Sequence, residues 1–256
     1  RFGFAYDPQG NGKTAIRGGF GIFYDRPQGN VYYGTVGQPP VSYNPTVSFG
    51  SLDTFLQATG VVGPPGVTVV ESAQQSLPKT MNFSLGVQRE LGFRSVIDVS
   101  YVGSLARHLI NQRNINSIPI YSRFDPANVD TTTNSPLPDN YLRPYLGMGV
   151  INMRTFDGTS NYHGMQMSAN RRMTKGLQYG VSYTWAKSLG VSNADFGGLS
   201  YYFTARQRNY GPLGYDIRHM VVINYNYEVP TLGKRYNNRF LGIVTDNWQL
   251  SGITTF

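Results

Sequence analysis

Leu177-Gln178-Tyr179-Gly180-Val181-Ser182-Tyr183-Thr184-Trp185-Ala186-Lys187 alternates residue by residue. Tyr179, Val181, Tyr183 and Trp185 fall on one side, and Gln178, Gly180, Ser182, Thr184 and Ala186 on the other. Successive side chains of an extended chain point to opposite faces, so this is a strand with an aromatic face and a small, neutral face. A sheet with one face in water normally shows that face rich in Lys, Glu and Thr. Here charge is nearly missing from the polar positions. Small neutral groups suit a wet or filled lumen, and a band of Tyr, Val and Trp suits hydrocarbon.

The same pattern recurs outward from this stretch. Phe83, Leu85 and Val87 alternate with Asn82, Ser84, Gly86 and Gln88. Ile16, Phe20, Ile22 and Tyr24 oppose Ala15, Arg17, Gly19 and Gly21; Ile97, Val99 and Tyr101 oppose Asp98 and Ser100. Val221, Ile223, Tyr225 and Tyr227 oppose Asn224 and Asn226, while 163–172 and 248–256 alternate more weakly. With Phe2–Tyr6, this gives about eight strands of the ~9–11 residues that cross a bilayer at a tilt.

Composition agrees. Charged residues are 14% of the chain, against about 25% in soluble domains. Thirty of 256 residues are glycine, where roughly 18 would be average. Mean hydropathy is −0.31, and no run approaches the ~20 apolar residues of a membrane helix. Cysteine is absent, which excludes disulfides and thiolate metal sites. The charge of +8 is scattered rather than gathered into a basic stripe, so nucleic acid is not an expected partner. The chain opens in mid-pattern, as expected of a segment of a longer protein.

Connection lengths are unequal. Short turns are expected at 7–12, 92–94 and 173–176, and long loops at about 26–80, 110–161 and 188–218. Short turns at one end and long loops at the other are the habit of outer-membrane barrels, with the loops extracellular. The connection around 231–247 is longer than this rule allows. Odd-numbered strands would then run towards the periplasm. Tyr24 and Trp185 fall at the outer membrane interface and Tyr225, Tyr227 and Trp248 at the inner one, where amphipathic rings prefer to sit. Arg89 shares the lipid-facing register but lies near a turn, where its cost is only ~0–1 kcal/mol. The fold class is all-β: an antiparallel up-and-down transmembrane β-barrel, represented by about eight strands of a larger barrel.

The runs 161–172 (Asn-Tyr-His-Gly-Met-Gln-Met-Ser-Ala-Asn-Arg-Arg), 176–179, 182–188, 12–25 and 82–91 resemble Oar-like TonB-dependent outer-membrane transporters. So do 98–104, 216–219 and 247–253. The resemblance implies a receptor with an N-terminal domain, a plug and a barrel of about 22 strands. This chain would supply part of the later barrel, with plug and N-terminal domains absent from it. It further implies an outer-membrane location, contact with lipid and lipopolysaccharide, coupling to the inner-membrane TonB complex through the plug, and an unknown solute.

Other motifs read more plainly. Gly10-Asn11-Gly12-Lys13-Thr14 mimics the end of a phosphate-binding loop, but a strand follows where a helix is required, which leaves a hairpin turn. Asp157, Ser160 and His163 have the chemistry of a hydrolase trio without a nucleophile elbow. His108, His163 and His219 are too far apart for metal-ligand spacing. Neither enzyme activity nor a cofactor is expected. Tyr201 and Tyr202 read either as a loop packing on its own side chains or over the barrel mouth, or, with Arg206 and the nearby charge of Arg208, as candidate solute contacts, because exposed loop aromatics beside an arginine can grip a ligand. Two other classes fit the same composition: a secreted β-rich carbohydrate- or peptide-binding module that buries the aromatic stripe, and a small complete barrel with a structural or adhesive role.

Overall fold

A computed structural model describes residues 1–44, 47–48, 51–53, 61–73, 76–231, 240, 242–243 and 246–256. Eight strands follow one another across a single antiparallel sheet: β1 (Phe2–Tyr6), β2 (Thr14–Tyr24), β3 (Lys79–Leu91), β4 (Ser95–Asn114), β5 (Ile151–Thr174), β6 (Leu177–Gly190), β7 (His219–Glu228) and β8 (Gln249–Thr255). Each pairs with its neighbours in sequence, and among the described residues β1 and β8 do not pair with each other. The sheet is open, as a section of a larger barrel is.

Register turns the sequence alternation into two continuous surfaces. One row across the sheet reads Tyr6, Ile16, Val87, Val99, Met167, Tyr183, Val221. One residue along, on the opposite face, the rows read Ala15, Gln88, Asp98, Ser168, Ser182, Val222 and Arg17, Gly86, Ser100, Gln166, Thr184, Met220. A slip of one residue at any seam would mix the two sets, which is why the register is so firmly specified. The apolar face is uncovered: Leu85 is 55% exposed and Trp185 48%. Val181, Tyr183 and Ile223 are half-buried and Tyr225 is exposed, so the stripe does not form a dry core.

The turns follow from local chemistry. Lys175 and Gly176 both have positive φ (52° and 75°) between the paired residues Thr174 and Leu177, the geometry of a two-residue type I′ hairpin. A Cβ at Gly176 would also stand 3.0 Å from the Glu228 carbonyl oxygen, so glycine is required twice over. At 7–13 the Asp7 carboxylate accepts from the Gln9 N–H (3.1 Å) and the Gly12 N–H (2.6 Å), and a strand, not a helix, follows. Gly92-Phe93-Arg94 links Leu91 to Ser95. Most of the 231–247 connection lies outside the described residues.

The long connections are shorter than the sequence suggested. The second spans 115–150, not 110–161, because β4 continues to Asn114 and β5 begins at Ile151. The first spans 25–78 and the third 191–218, since β3 starts at Lys79 and β6 ends at Gly190. Where β4 and β5 leave the regular sheet, pairing jumps from Arg107–Thr159 to Leu109–Gly158. His108 is the extra residue, at φ 59°. This is a β-bulge, the usual device for bending a strand at a barrel rim.

Candidate functional site

Beyond the bulge, the ends of β4 and β5 form a platform on which all three long connections dock. Val67–Val70 of the first pairs in parallel with Ile151–Arg154. Gly198–Leu199 of the third pairs in parallel with Gln112–Arg113. The Arg154 guanidinium donates to the Asn30 and Val31 carbonyls and lies 4.5 Å from the Phe196 ring centroid, tying the first connection to the third. Arg113 forms an ion pair with Asp157 on the platform, which also accepts from Thr155 Oγ1 at 2.8 Å. Among the described residues most of the buried apolar side chains belong to this end, including Val31, Leu142, Ile151, Phe156, Val191 and Leu213. Among the described residues the packed core lies at the loop end of the sheet, between the strand ends and the connections.

The second connection is pinned by Asn116, which is fully buried. Its Nδ2 donates to the carbonyls of Tyr145 (3.1 Å), Met148 (3.0 Å) and Gly149 (2.8 Å), and its Oδ1 accepts from the Tyr145 N–H (2.8 Å). One side chain thus engages four backbone groups of the returning segment, its two Nδ2 hydrogens shared among the three carbonyls. Beside it opens a cavity of about 430 Å³ between the second and third connections. Tyr202 closes one side, its hydroxyl donating to the Ile118 carbonyl.

The candidate solute contacts are only partly brought together. Tyr201 and Tyr202 are both exposed, with their rings edge to face at 6.2 Å. Arg206 does not join them: it sits on the short helix Ala205–Asn209 and lies over the Tyr210 ring at 4.7 Å, while Arg208 lies over Phe203 at 5.2 Å. This helix starts at Thr204, whose N–H donates to Gln207 Oε1 at 2.9 Å across the first turn, and it carries Arg206 away from the tyrosine pair. Arg123, Arg143, Tyr121 and Phe124, which line the cavity with Tyr202, were not singled out by sequence. They carry no periodic or motif signal.

The hydrolase trio is dispersed by the strand alternation. Ser160 is on the row opposite Ala106, while His163 is on the aromatic face, where its Nδ1 meets the Tyr101 hydroxyl at 2.6 Å. His219 repeats the arrangement with Tyr183 at 2.9 Å. Among the described residues no cluster of three or more metal-binding side chains occurs.

The outward face shows a consistent vertical order when residues are counted from the short-turn ends. Tyr227 pairs with Leu177, the first residue of β6, and Tyr225 with Tyr179. Trp248 immediately precedes β8 and is exposed. Trp185 lies eight residues up β6 (185 − 177) and Tyr24 ten up β2 (24 − 14). Lys79 and Arg107 face each other twelve residues up β3 and β4 (91 − 79 and 107 − 95). The apolar rows lie between these two levels, a height that matches the ~9–11 residues needed to cross a bilayer.

Comparisons with known proteins agree with this geometry. The family described as "Outer membrane beta barrel domain" matches residues 1–256. Among solved structures, the outer membrane transporter YddB from Escherichia coli is similar at a TM-score of 0.52 and 14% identity, over 89% of this chain and 26% of that one. The FrpB iron transporter from Neisseria meningitidis (F3-3 variant) gives 0.45 and 11%, over 88% and 24%. The chain thus spans about a quarter of the length of these structures, and the likeness to YddB is one of fold. No curated protein sequence matches. The chain belongs to the outer-membrane β-barrel domain family, and its place is the bacterial outer membrane.

Proposed function

We propose that the chain is part of the wall and the solute-capturing mouth of a TonB-dependent outer-membrane transporter, and that it breaks no bond itself. The observation that carries this is the interlocked loop platform at one end of a strand wall whose second face is mostly polar, with few charges among Gly, Ser, Thr and Gln. Such a face permits passage of a hydrated solute, because it offers hydrogen bonds without holding a charge tightly. YddB, FrpB and PirA, the last described as a siderophore receptor from Pseudomonas aeruginosa, are transporters or receptors by name. A role of the same kind is the natural reading for this wall.

In this reading the platform is extracellular and the short turns are periplasmic. Tyr24 and Trp185 then mark the outer interface, and Tyr225, Tyr227 and Trp248 the inner one. Lys79 and Arg107 point outward at the outer rim, where the phosphates of lipopolysaccharide supply the counter-charge. The TonB complex would engage a plug elsewhere in the whole receptor. The test is solute depletion from the medium by cells expressing the full receptor. Depletion of at least one small molecule should depend on both the receptor and a working TonB. A receptor that changes nothing in the medium removes the proposal.

A further inference from the structure

We infer that the cavity between the second and third connections is a binding site for a small molecule carrying an anionic head, carboxylate or phosphate, on an apolar or aromatic body. The argument begins with Arg143. Its Nε and Nη1 are buried and have no hydrogen-bond partner, and none of the salt bridges among the described residues includes it. Arg143 is half-buried and lines the cavity. Two guanidinium nitrogens withdrawn from water without an acceptor are unfavourable, and persist where something else supplies one.

Among the described residues no carboxylate forms an ion pair with Arg143. Of the residues around the cavity, Arg123 is the other cation, and its charge is met by Asp139 at 2.7 Å. No Asp or Glu lines the space. Arg143 is therefore the cation of the lining that no ion pair among the described residues meets.

The rest of the wall specifies the body of the ligand. Tyr121 is 78% exposed, Phe124 82% and Ile120 52%, and Tyr202 presents its ring from the other connection. The lining is mixed: these apolar groups stand beside Asn114, Asn116, Ser117 and two arginines, so the wall offers polar groups that fix orientation together with rings that take an apolar or aromatic part of the ligand. The volume, about 430 Å³, falls in the range of such sites, roughly 300–1,000 Å³. Asn116 holds the floor rigid, so the site is preformed. The inference deepens the transport reading, since it names the chemistry captured at the mouth, but binding is measured separately from uptake.

The test uses the full-length receptor in lipid nanodiscs and isothermal calorimetry with N-acetylphenylalanine, its neutral amide and inorganic phosphate. N-acetylphenylalanine should bind saturably, and the amide at least about tenfold more weakly, because the charge-assisted bond to Arg143 is lost. Arg143→Gln should weaken the acid by a similar factor, and Arg143→Lys by less. Tyr202→Ala should weaken the acid and leave any phosphate binding unchanged. Equal binding of acid and amide, or no saturable binding of the acid, overturns the inference. If Arg143→Gln does not fold, the acid-against-amide comparison on the unaltered receptor decides alone. Binding that survives while TonB-dependent depletion fails would remove the transport reading and keep the site; the reverse pattern would do the opposite.

Discussion

The Phe83 ring on β3 lies across Gly103, its direct partner on β4, so closely that a Cβ on residue 103 would collide with the ring edge. The same cover recurs between Phe4 and Gly18, and between Tyr225 and Gly252, all on the outward face. An aromatic ring laid over a facing glycine restores the contact that the missing side chain would have made. These glycines are therefore sites of packing.

From this follows a coupled pair of substitutions. Gly103→Ala should destabilise the folded receptor by about 1–3 kcal/mol, the usual cost of overpacking. In a Phe83→Ala background the same change should cost much less, since the ring is gone. Unfolding in detergent of the four members of this cycle gives the coupling. Strict additivity would show that ring and glycine do not interact.

Facing direction makes a second prediction. Leu85 lies six residues from the turn end of β3 (91 − 85), midway up the apolar band, while Ser84 points to the opposite face. Leu85→Arg should cost ~2–4 kcal/mol of folding free energy in phospholipid vesicles, and Ser84→Arg far less. Native Arg89 already shows that the outward register accepts a cation two residues from the turn (91 − 89). Equal penalties at positions 84 and 85 would contradict the assignment of faces.

The strands that cross the membrane were legible because one face meets hydrocarbon and the other water, which forces strict alternation on residues such as Val181 and Ser182. The extensions of β4 and β5 were not. Ile110-Asn111-Gln112-Arg113-Asn114 stands beyond the bilayer, where both faces meet water or loops, and the bulge at His108 breaks the period just before it. The parallel pairings of Val67–Val70 and Gly198–Leu199 join residues far apart in sequence, and carry no local signal. At the candidate site, Tyr202 was visible as a loop aromatic. Arg143 was not, because its significance is the lack of a partner, which only three dimensions reveal. The displacement of Arg206 was in principle readable: Thr204-Ala205-Arg206-Gln207 is a capping-box sequence.

Asn116 gives a third prediction, local rather than global. Asn116→Ala removes four bonds to the 145–149 backbone at a fully buried position; the Met148 and Gly149 carbonyls lose their Asn116 donor and the Tyr145 N–H its acceptor, while the Tyr145 carbonyl keeps the Met148 N–H. Each unsatisfied group costs on the order of 1–3 kcal/mol. Amide hydrogens of 145–149 should exchange much faster while those of β6 stay protected. Asn116→Asp should be as harmful, because a carboxylate cannot donate to the three carbonyls. Unchanged exchange in the loop would mean that other contacts hold it.

Acid should release the third connection at a pH set by Asp216. The Ser188 N–H donates to this carboxylate at 2.6 Å and Lys187 Nζ at 3.0 Å, and these bonds hold its pKa below the ordinary value of 3.8. Asp216 is only 10% exposed and closes the 191–218 segment onto the end of β6. A carboxyl group with a depressed folded pKa contributes fully above its unfolded pKa, and loses that contribution as pH falls through the folded one. Hydrogen exchange at the Ser188 amide and in 191–218 should therefore show no added opening between about pH 8 and pH 5 once the intrinsic rate is removed, and an opening below about pH 4. Asp216→Asn should open the segment at every pH and flatten the acid response. Opening that begins near pH 6 in the unaltered receptor would show that Asp216 does not set the response.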